Sequence, residues 1–352
     1  MMRKSVRPDC VQRSQLAGCA SEESLLRLAR NESLEGMKAA TLALGLALGL
    51  AASTAYADDS IKLAVGARGN WETAAAELGQ DAGFFKKRSV ALDILYTQGS
   101  GETQQAVISG SVGIGVGLGT TSVMSAFAKG APLVAIGNAS TGSSEFWYVP
   151  ANSPLQSMKD AAGKTVGFST AGSSSHMEVL AFLKHYAVDA RPVATGGTAA
   201  TFTQVMSGQV DIGWSSPPFG MAAAHEGKIR IIARGNELPY FRDQTIRLIV
   251  ANAGWLDAHR DVAARFVQAY RDTLEWMYGD PAALEAYAKF SGAPGAIAQQ
   301  VRDEFYPKDG LMVDRISGLD AVMADGVANR YLAAPLTRDQ LGALFQVPAP
   351  VK

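Results

Sequence analysis

The chain has 352 residues, of which 47% are hydrophobic and 18% are charged, and its formal net charge is −1 at pH 7. This length accommodates about two domains, and the composition is that of a globular protein rather than a disordered or fibrous one. A charge so close to zero gives no support for nucleic acid as a partner.

Residues 37–57 have the pattern of a secretory signal peptide. Lys38 precedes an apolar run over residues 39–52, and Ala55-Tyr56-Ala57 forms a small-residue cleavage site. The run is shorter than the ~18–20 apolar residues of a membrane-spanning helix. We therefore expect export to the periplasm with cleavage near Ala57. Residues 1–36 are left unassigned, and a misplaced start site would explain them.

Both cysteines, Cys10 and Cys19, lie before that cleavage site. The exported chain would therefore have no thiol for catalysis, disulfides or metal binding. Its four histidines form no zinc-binding motif, and neither a nucleophile elbow nor a phosphate-binding loop motif occurs. The sequence thus predicts a protein that is not an enzyme and that holds no metal and no cofactor.

Strands and helices alternate after the cleavage site. Residues 61–65 and 91–96 are predicted strands, and each leads into a polar loop, residues 66–70 and 98–102, that opens a helix. This alternation predicts a mainly parallel sheet, in which ligands bind beyond the carboxyl ends of the strands. The loops at those ends are rich in Gly, Ser, Thr and Asn.

A thirteen-residue segment occurs twice, at residues 103–115 and 201–213, with seven identical positions. Each copy predicts a helix, a Ser-Gly stop and a short buried strand. Two such units indicate two similar α/β lobes with a cleft between them, and a cleft is where small molecules bind. The alternative is that helix-Gly-strand junctions look alike in all α/β proteins.

The repeat suggests a division into two lobes. We assign residues 58–150 and 247–352 to lobe one, and residues 151–246 to lobe two. Residues 245–251 are predicted to form the strand that carries the chain back to lobe one. Residues 255–345 are largely helical by pattern, so we expect them to complete the outer layer of lobe one.

The sharpest local signal is the Gly/Ser-rich loop at residues 169–176, which opens a helix. Backbone N–H groups and hydroxyls at a helix N-terminus favour an anion or a polar oxygen. An ordinary helix cap with exposed serines is the alternative. His176 could contact a ligand or merely cap the helix, and Glu102 could face a ligand or belong to a capping box.

Three tryptophans and two arginines fall where the cleft is expected. Trp71, Trp147 and Trp214 could supply stacking area for an organic ligand. Arg68 and Arg247 could each hold a carboxylate or sulfonate bidentately. The alternatives are a place in the core for each tryptophan and an ordinary surface ion pair for each arginine.

Three stretches carry a family resemblance: residues 82–85 with the basic residues after them, residues 172–176, and residues 205–219. They resemble the periplasmic substrate-binding proteins of bacterial ABC importers, in the group that binds aliphatic sulfonates, taurine, nitrate and thiamine-precursor pyrimidines. The resemblance covers about residues 61–290. It implies an α/β type II periplasmic-binding fold, in which two lobes of mixed, mainly parallel sheet flanked by helices are joined by a two-crossing hinge.

The resemblance also implies a function and a set of ligand-binding positions. It implies a monomeric periplasmic receptor that captures a small organic molecule and delivers it to an ABC permease. An organic anion such as a sulfonate or aromatic carboxylate, or a heterocycle, is the expected ligand, although sulfonate binders tend to have an acidic residue where this chain has Ser216. Alternatives are an enzyme acting on a pyrimidine-like substrate and a receptor for an ion-gradient-driven transporter. The implied ligand-binding positions are Arg68, Asn70, Trp71, Gln98, Ser100, Glu102, Thr120, Thr121, Ser173, Ser174, Ser175, His176, Trp214 and Ser215.

Overall fold

The computed structural model describes residues 58–350, which belong to one compact unit. The predicted signal peptide at residues 37–57, the unassigned residues 1–36 and both cysteines lie outside the described residues. Within residues 58–350, no helix combines the length and the apolarity that crossing a membrane requires.

Strands and helices alternate through the first two thirds of the described chain, and helices form most of the rest. The strands are β1 (Asp59–Gly66), β2 (Val90–Thr97), β3 (Ile114–Gly119), β4 (Leu133–Thr141), β5 (Phe146–Pro150), β6 (Thr165–Phe168), β7 (Arg191–Ala194), β8 (Gly213–Ser215), β9 (Ile229–Arg234) and β10 (Thr245–Asn252). The helices are α1 (Trp71–Asp81), α2 (Ser100–Ile108), α3 (Thr120–Ala128), α4 (Ser174–Tyr186), α5 (Thr198–Met206), α6 (Met221–His225), α7 (Ala253–Ala258), α8 (Arg260–Gly279), α9 (Pro281–Ser291), α10 (Gly295–Gln300), α11 (Lys308–Leu311), α12 (Leu319–Ala328) and α13 (Arg338–Leu344).

Lobe one is built around a five-stranded sheet with the order β2-β1-β3-β10-β4. β1 is parallel to β2 and β3, whereas β10 runs antiparallel to β3 and β4. Every residue of β3 and β4 is buried, because the two faces of the sheet pack into separate hydrophobic clusters. On one face, α8 packs against α1 and β2 through a stripe at helical spacing that includes Val262, Phe266 and Tyr270.

Lobe two is built around a second sheet, which consists of the groups β8-β5-β9 and β6-β7. Two backbone hydrogen bonds join the groups: the N–H of Gly167 donates to Ile212 O at 2.8 Å, and that of Ile212 donates to Thr165 O at 3.0 Å. The resulting order is β7-β6-β8-β5-β9, with β5 antiparallel to β8 and β9. This is the strand order of lobe one, with β5 in the place of β10. The predicted fold class is therefore confirmed.

The two copies of the repeated segment have the same structure, because α2 leads into β3 in lobe one and α5 leads into β8 in lobe two. The hydroxyls of Thr103 and Thr97 are 2.7 Å apart, and those of Thr201 and Thr195 are also 2.7 Å apart. Both repeat threonines also donate to the carbonyl four residues earlier, at 3.1 and 3.0 Å. In each lobe, the first threonine of the repeat thus ties its helix to the end of the preceding strand.

The chain crosses between the lobes at residues 142–145 and again near Gln244. Both crossings differ from the predicted boundaries at residues 150 and 246. β5 pairs with β8 and β9, so it belongs to lobe two, and Thr245 already pairs with Thr141 of β4 in lobe one. The apolar pattern of β5 does not reveal its sheet, because its partners lie more than 60 residues further along the chain.

Candidate functional site

The two lobes meet at a cavity that lies beyond the carboxyl ends of β1, β2, β6 and β8. Its volume is about 40 Å³, which is room for a few water molecules. Sites for organic ligands are typically about 300–1,000 Å³, so the lobes must move apart to admit one. The cavity is lined by Gly66, Ala67, Asn70, Glu72, Thr73, Gln98, Gly99, Ser100, Gly117, Glu145, Ser169, Ser173, Ser174, Ser175, Thr198, Trp214, Ser216 and Arg247.

Half of the predicted ligand-binding positions lie at this cavity, and loops between strands and helices place them there. Asn70 precedes α1, and Ser173 precedes α4, where its hydroxyl accepts from the N–H of His176 at 3.3 Å. Ser175 is fixed by the N–H of Ser169, which donates to its hydroxyl at 3.0 Å. The predicted positions at the cavity are Asn70, Gln98, Ser100, Ser173, Ser174, Ser175 and Trp214.

Two predicted residues of the first loop point away from the cavity. Arg68 lies on the outer side of α1, where it pairs with Glu77 at 3.3 Å and covers the ring of Phe290 at 4.4 Å. Trp71 is fully buried in the core, with its indole N–H donating to the hydroxyl of Tyr278 at 2.9 Å. The predicted contact of both residues with a ligand is therefore not supported by their positions.

Trp147 is also a core residue rather than a residue of the cleft. It is fully buried in lobe two, donates to Gly167 O at 3.1 Å and packs edge-to-face on Phe182. Of the three predicted tryptophans, only Trp214 reaches the cavity. Its N–H donates to the hydroxyl of Thr195 at 3.1 Å. Thr195 precedes the second copy of the repeat and is hydrogen-bonded to its first residue, Thr201, so the ring is held in one orientation.

Four further predicted residues have structural partners near the cavity but do not line it. Glu102 accepts from the N–H of Gln98 at 2.9 Å, one residue before the N-cap Gly99, so it forms no capping box. Thr120 donates to Thr245 O at 2.7 Å, and it lines a separate space of about 20 Å³ together with Thr121. The hydroxyl of Ser215 donates to the backbone carbonyl four residues later, at 2.9 Å.

His176 follows the Gly/Ser-rich loop, and its side chain does not line the cavity. Its Nδ1 accepts from the N–H of Gly172 at 3.2 Å and lies 2.8 Å from the hydroxyl of Tyr331. The ring stacks on Phe168 with 4.0 Å between centroids. Burial lowers the pKa of His176 to about 4, so the ring is neutral near pH 7 and fixes the loop rather than binding an anion by charge.

The strongest electrostatic feature of the cavity is a buried arginine held between two glutamates. Arg247 of β10 is 8% exposed and forms ion pairs with Glu72 and Glu145, whose side chains are fully buried. Its Nε also donates to the hydroxyl of Ser174 at 3.3 Å. Burial acts to lower the pKa of Arg247, but the charges of Glu145 and Glu72 raise it overall. The guanidinium is therefore charged, and its hydrogen-bonding groups are largely occupied.

Glu145 also forms a pair with a second buried carboxyl group, that of Glu178. The hydroxyl of Ser143 is 2.6 Å from Glu178 and 3.2 Å from Glu145, and Ser174 donates to Glu145 at 2.6 Å. Burial and then the charge of Glu145 raise the pKa of Glu178 well above its usual value. Burial also acts to raise the pKa of Glu145, but the charge of Arg247 and the Ser174 hydrogen bond lower it overall. The two shifts have opposite directions, so a proton on this pair is held by Glu178 in preference to Glu145.

The sequence predictions missed Glu72, Glu145 and Glu178. In the sequence, they could have been recognised as acidic residues that interrupt an apolar segment or a turn. Glu178 lies between Met177 and Val179 on the inner face of α4, where an acidic residue is normally absent unless it is paired. Arg247 was considered only as a cationic ligand contact or a member of a surface ion pair. It lies in the buried strand β10, where an arginine needs carboxylate partners.

Two buried oxygen atoms on cavity residues have no hydrogen-bond partner among the described residues. These are Oδ1 of Asn70 and Oε2 of Glu72. The amide nitrogen of Asn70 donates to the hydroxyl of Ser216 at 3.0 Å and to Oε1 of Glu72 at 3.4 Å, so the orientation of the amide is assigned by its donors. Both unpartnered atoms are acceptors on residues that line the cavity, so a ligand that reached them would have to offer hydrogen-bond donors.

The family model described as "NMT1/THI5 like" matches residues 70–284. The chain is 20% identical to the alkanesulfonate-binding protein SsuA of Xanthomonas axonopodis pv. citri bound to MOPS (82% of this chain, 98% of that chain, TM-score 0.67). It is 14% identical to the periplasmic nitrate-binding protein NrtA of Synechocystis (81% and 84%, TM-score 0.64). It is 16% identical to a cysteine-to-serine mutant of DSZB, an enzyme, with biphenyl-2-sulfinic acid (83% and 97%, TM-score 0.58). No curated protein sequence matches significantly. These similarities identify the fold as that of periplasmic binding proteins.

Proposed function

Because this chain belongs to the NMT1/THI5-like family, we propose that it is a solute-binding receptor that closes two lobes over a small organic molecule. The observation that carries the proposal is the cavity between the lobes, whose walls come from strand-end loops of both. Loops at the carboxyl ends of parallel strands are where α/β proteins bind ligands. Lobes of identical strand order that face each other across such loops suit capture of a solute from both sides.

The proposed mechanism is bending at the two crossings, residues 142–145 and Gln244. Opening would break the direct bonds between lobes, including Asn70 to Ser216 at 3.0 Å and Arg247 to Ser174 at 3.3 Å. Each such bond contributes about 0.5–1.5 kcal/mol, and Tyr306 and Tyr331 form further hydrogen bonds from lobe one to lobe two. A solute that hydrogen-bonds to both walls would then shift the population toward closure.

The proposal extends to the location and the partner of the protein. The signal-peptide pattern at residues 37–57 supports a periplasmic location. The similarity to periplasmic sulfonate- and nitrate-binding proteins supports delivery of the solute to an ABC permease. We further propose that the receptor acts as a monomer.

The residues that line the cavity support binding rather than chemistry. Neither histidine nor cysteine is among them. Ser174 donates to the carboxylate of Glu145 at 2.6 Å, but this carboxylate is a weak base, because the charge of Arg247 outweighs the effect of burial and lowers its pKa overall. Nucleophilic catalysis requires a base within hydrogen-bonding reach of the nucleophile. We therefore propose a non-enzymatic role, although the similar protein DSZB is an enzyme.

The proposal is tested by identifying what the native protein carries. The protein is purified without denaturant and unfolded, the released small molecules are analysed by mass spectrometry, and each is returned to ligand-free protein. We expect one compound to raise the Tm, because 100-fold excess over Kd stabilises by about 2.7 kcal/mol. Recovery of the compound unchanged after incubation separates a receptor from an enzyme. Absence of any released compound, together with no Tm shift across a broad panel of organic solutes, would contradict the proposal.

A further inference from the structure

We propose that the solute binds through a cationic nitrogen group, an ammonium, amidinium or guanidinium, held by Glu72 and Asn70. The inference rests on the proposed receptor function and specifies the chemical class of its ligand. An organic anion or a heterocycle was expected from the sequence, and the class proposed here differs from the first of these.

The charged residues of the cavity wall favour a cation. Its charged lining residues are Arg247, Glu72 and Glu145, so one guanidinium faces two carboxylates in ion pairs. Glu178 lies next to Glu145 and supplies no positive charge, and burial and the charge of Glu145 raise its pKa. One negative charge is therefore left without a cation in a buried site, and buried charges require compensation.

The N-terminus of α1 compensates only part of that charge. Glu72 lies in the first turn of this helix, where the helix dipole supplies the equivalent of about half a positive charge. A cation supplied by the ligand would provide the rest. An anionic ligand would instead have to displace Glu72 or Glu145 from Arg247 and add a second uncompensated negative charge.

Two unpartnered acceptors on the cavity wall also favour a group with several N–H donors. Oδ1 of Asn70 and Oε2 of Glu72 are both buried and lack donors among the described residues, and the side chains themselves are 3% and 1% exposed. Ammonium, amidinium and guanidinium groups carry several N–H donors and no acceptor. They match two neighbouring acceptors, one of which is charged, and such charge-assisted hydrogen bonds are the stronger kind.

The test compares isosteric pairs of probes on the ligand-free wild-type protein by titration calorimetry. The pairs are benzamidine with benzoate, and phenylguanidine with phenylacetate. We expect at least one base to bind about tenfold or more tightly than its paired acid. Tighter binding of the acids, or binding of neither class, would overturn the inference. Tight binding of an acid would leave the receptor function intact, because only the ligand class would then be wrong.

Paired variants on α1 test the assigned residue. Glu72→Gln removes the charge with little change in shape, and we expect it to weaken binding of the preferred base by about tenfold or more. Glu77→Gln changes the same charge on the same helix, at a residue that pairs with Arg68 outside the cavity, so its affinity should match that of the wild type. Equal affinity of the Glu72→Gln and wild-type proteins would overturn the inference. Should Glu72→Gln fail to fold, the probe pairs on the wild type still decide.

Discussion

Trp214 directly follows the second copy of the repeat and is the predicted tryptophan that lines the cavity. Its ring lines the cavity, and its N–H is held by Thr195, whose hydroxyl is 2.7 Å from that of Thr201. A ring fixed in this way offers a large contact area without losing much conformational entropy on binding. We therefore regard Trp214 as the anchor of the proposed solute site.

Trp214→Ala should weaken solute binding more than alanine at any other predicted site residue. We expect a loss of about 30-fold or more, because an aromatic anchor contributes about 2 kcal/mol or more. Titration calorimetry should be done well below the Tm, since the substitution also removes about 3–5 kcal/mol of packing stability. Arg68→Ala is the control, because this arginine lies outside the cavity. A comparable loss in Arg68→Ala would contradict its placement.

Glu178→Gln should stabilise the protein increasingly as the pH rises above the usual pKa of a glutamate, about 4.3. The folded pKa of Glu178 is raised by burial and by Glu145, so above its usual pKa the unfolded state loses a proton that the folded state keeps. Wild-type stability therefore falls with rising pH through this group. Glutamine resembles the protonated acid and removes that loss. Urea denaturation at several pH values measures the difference, and a difference that stays constant with pH would contradict the protonated state.

Glu145→Gln is the matched variant for this pair. It removes the ionised partner of Arg247, so it should destabilise the protein by about 3–5 kcal/mol near pH 7. A stabilising effect of Glu145→Gln with a destabilising effect of Glu178→Gln would mean that the proton resides on the other carboxyl.

At the residue scale, the sequence predicted the loops that meet at the cavity but not the direction of each side chain. Successive residues of a helix point about 100° apart, so Trp71 faces the core while its neighbour Glu72 faces the cavity. The start of α1 would have to be known to within one residue to separate them. Glu145 was missed for a different reason, since its role depends on Arg247, a residue about a hundred positions away.

Among the helices and strands, both copies of the repeated segment form the same hydrogen bond to a threonine that precedes them. The Thr103 and Thr201 side chains are both fully buried and both join the helix to the end of the preceding strand. The similarity of the two copies therefore reflects a shared requirement of the fold, whereas the residues that follow them differ between the two walls of the cavity.

Thr103→Val and Thr201→Val should each lower the free energy of unfolding by about 1–3 kcal/mol. Valine has the shape of threonine, but it leaves the buried hydroxyl of Thr97 or Thr195 without one partner. Chemical denaturation of both variants measures the effect. Thr203→Val is the control, because its hydroxyl bonds within α5 at an exposed position and should change stability by less than about 0.5 kcal/mol. If neither variant lowers the free energy of unfolding more than the control does, the shared threonine hydrogen bond does not stabilise the fold.

The order of elements could be predicted from the sequence, but the sheet to which each strand belongs could not always be. The strand β10 was predicted almost to its observed bounds, because a long apolar run is a strong local signal. β5 was placed in the wrong lobe, since antiparallel insertion between β8 and β9 depends on partners that are distant in the sequence. Chain crossings are set by such pairings rather than by local composition.

At the scale of the whole molecule, two lobes joined at two crossings should move as units. Spin labels at Leu95→Cys in lobe one and Met206→Cys in lobe two can report this, because both positions are exposed and both natural cysteines precede the predicted cleavage site. We expect the solute to shorten and narrow the distance distribution between the labels. A pair at Leu95→Cys and Met312→Cys, both within lobe one, should not change. An equal response of both pairs would contradict hinge closure.

The most direct test of the central claim, capture of one small molecule between the lobes, is titration calorimetry of the ligand-free protein with the compound released from it. We predict saturable binding of one molecule per chain, weakened about 30-fold or more by Trp214→Ala. Failure of the compound to bind, or equal binding by the Trp214→Ala variant, would contradict the account.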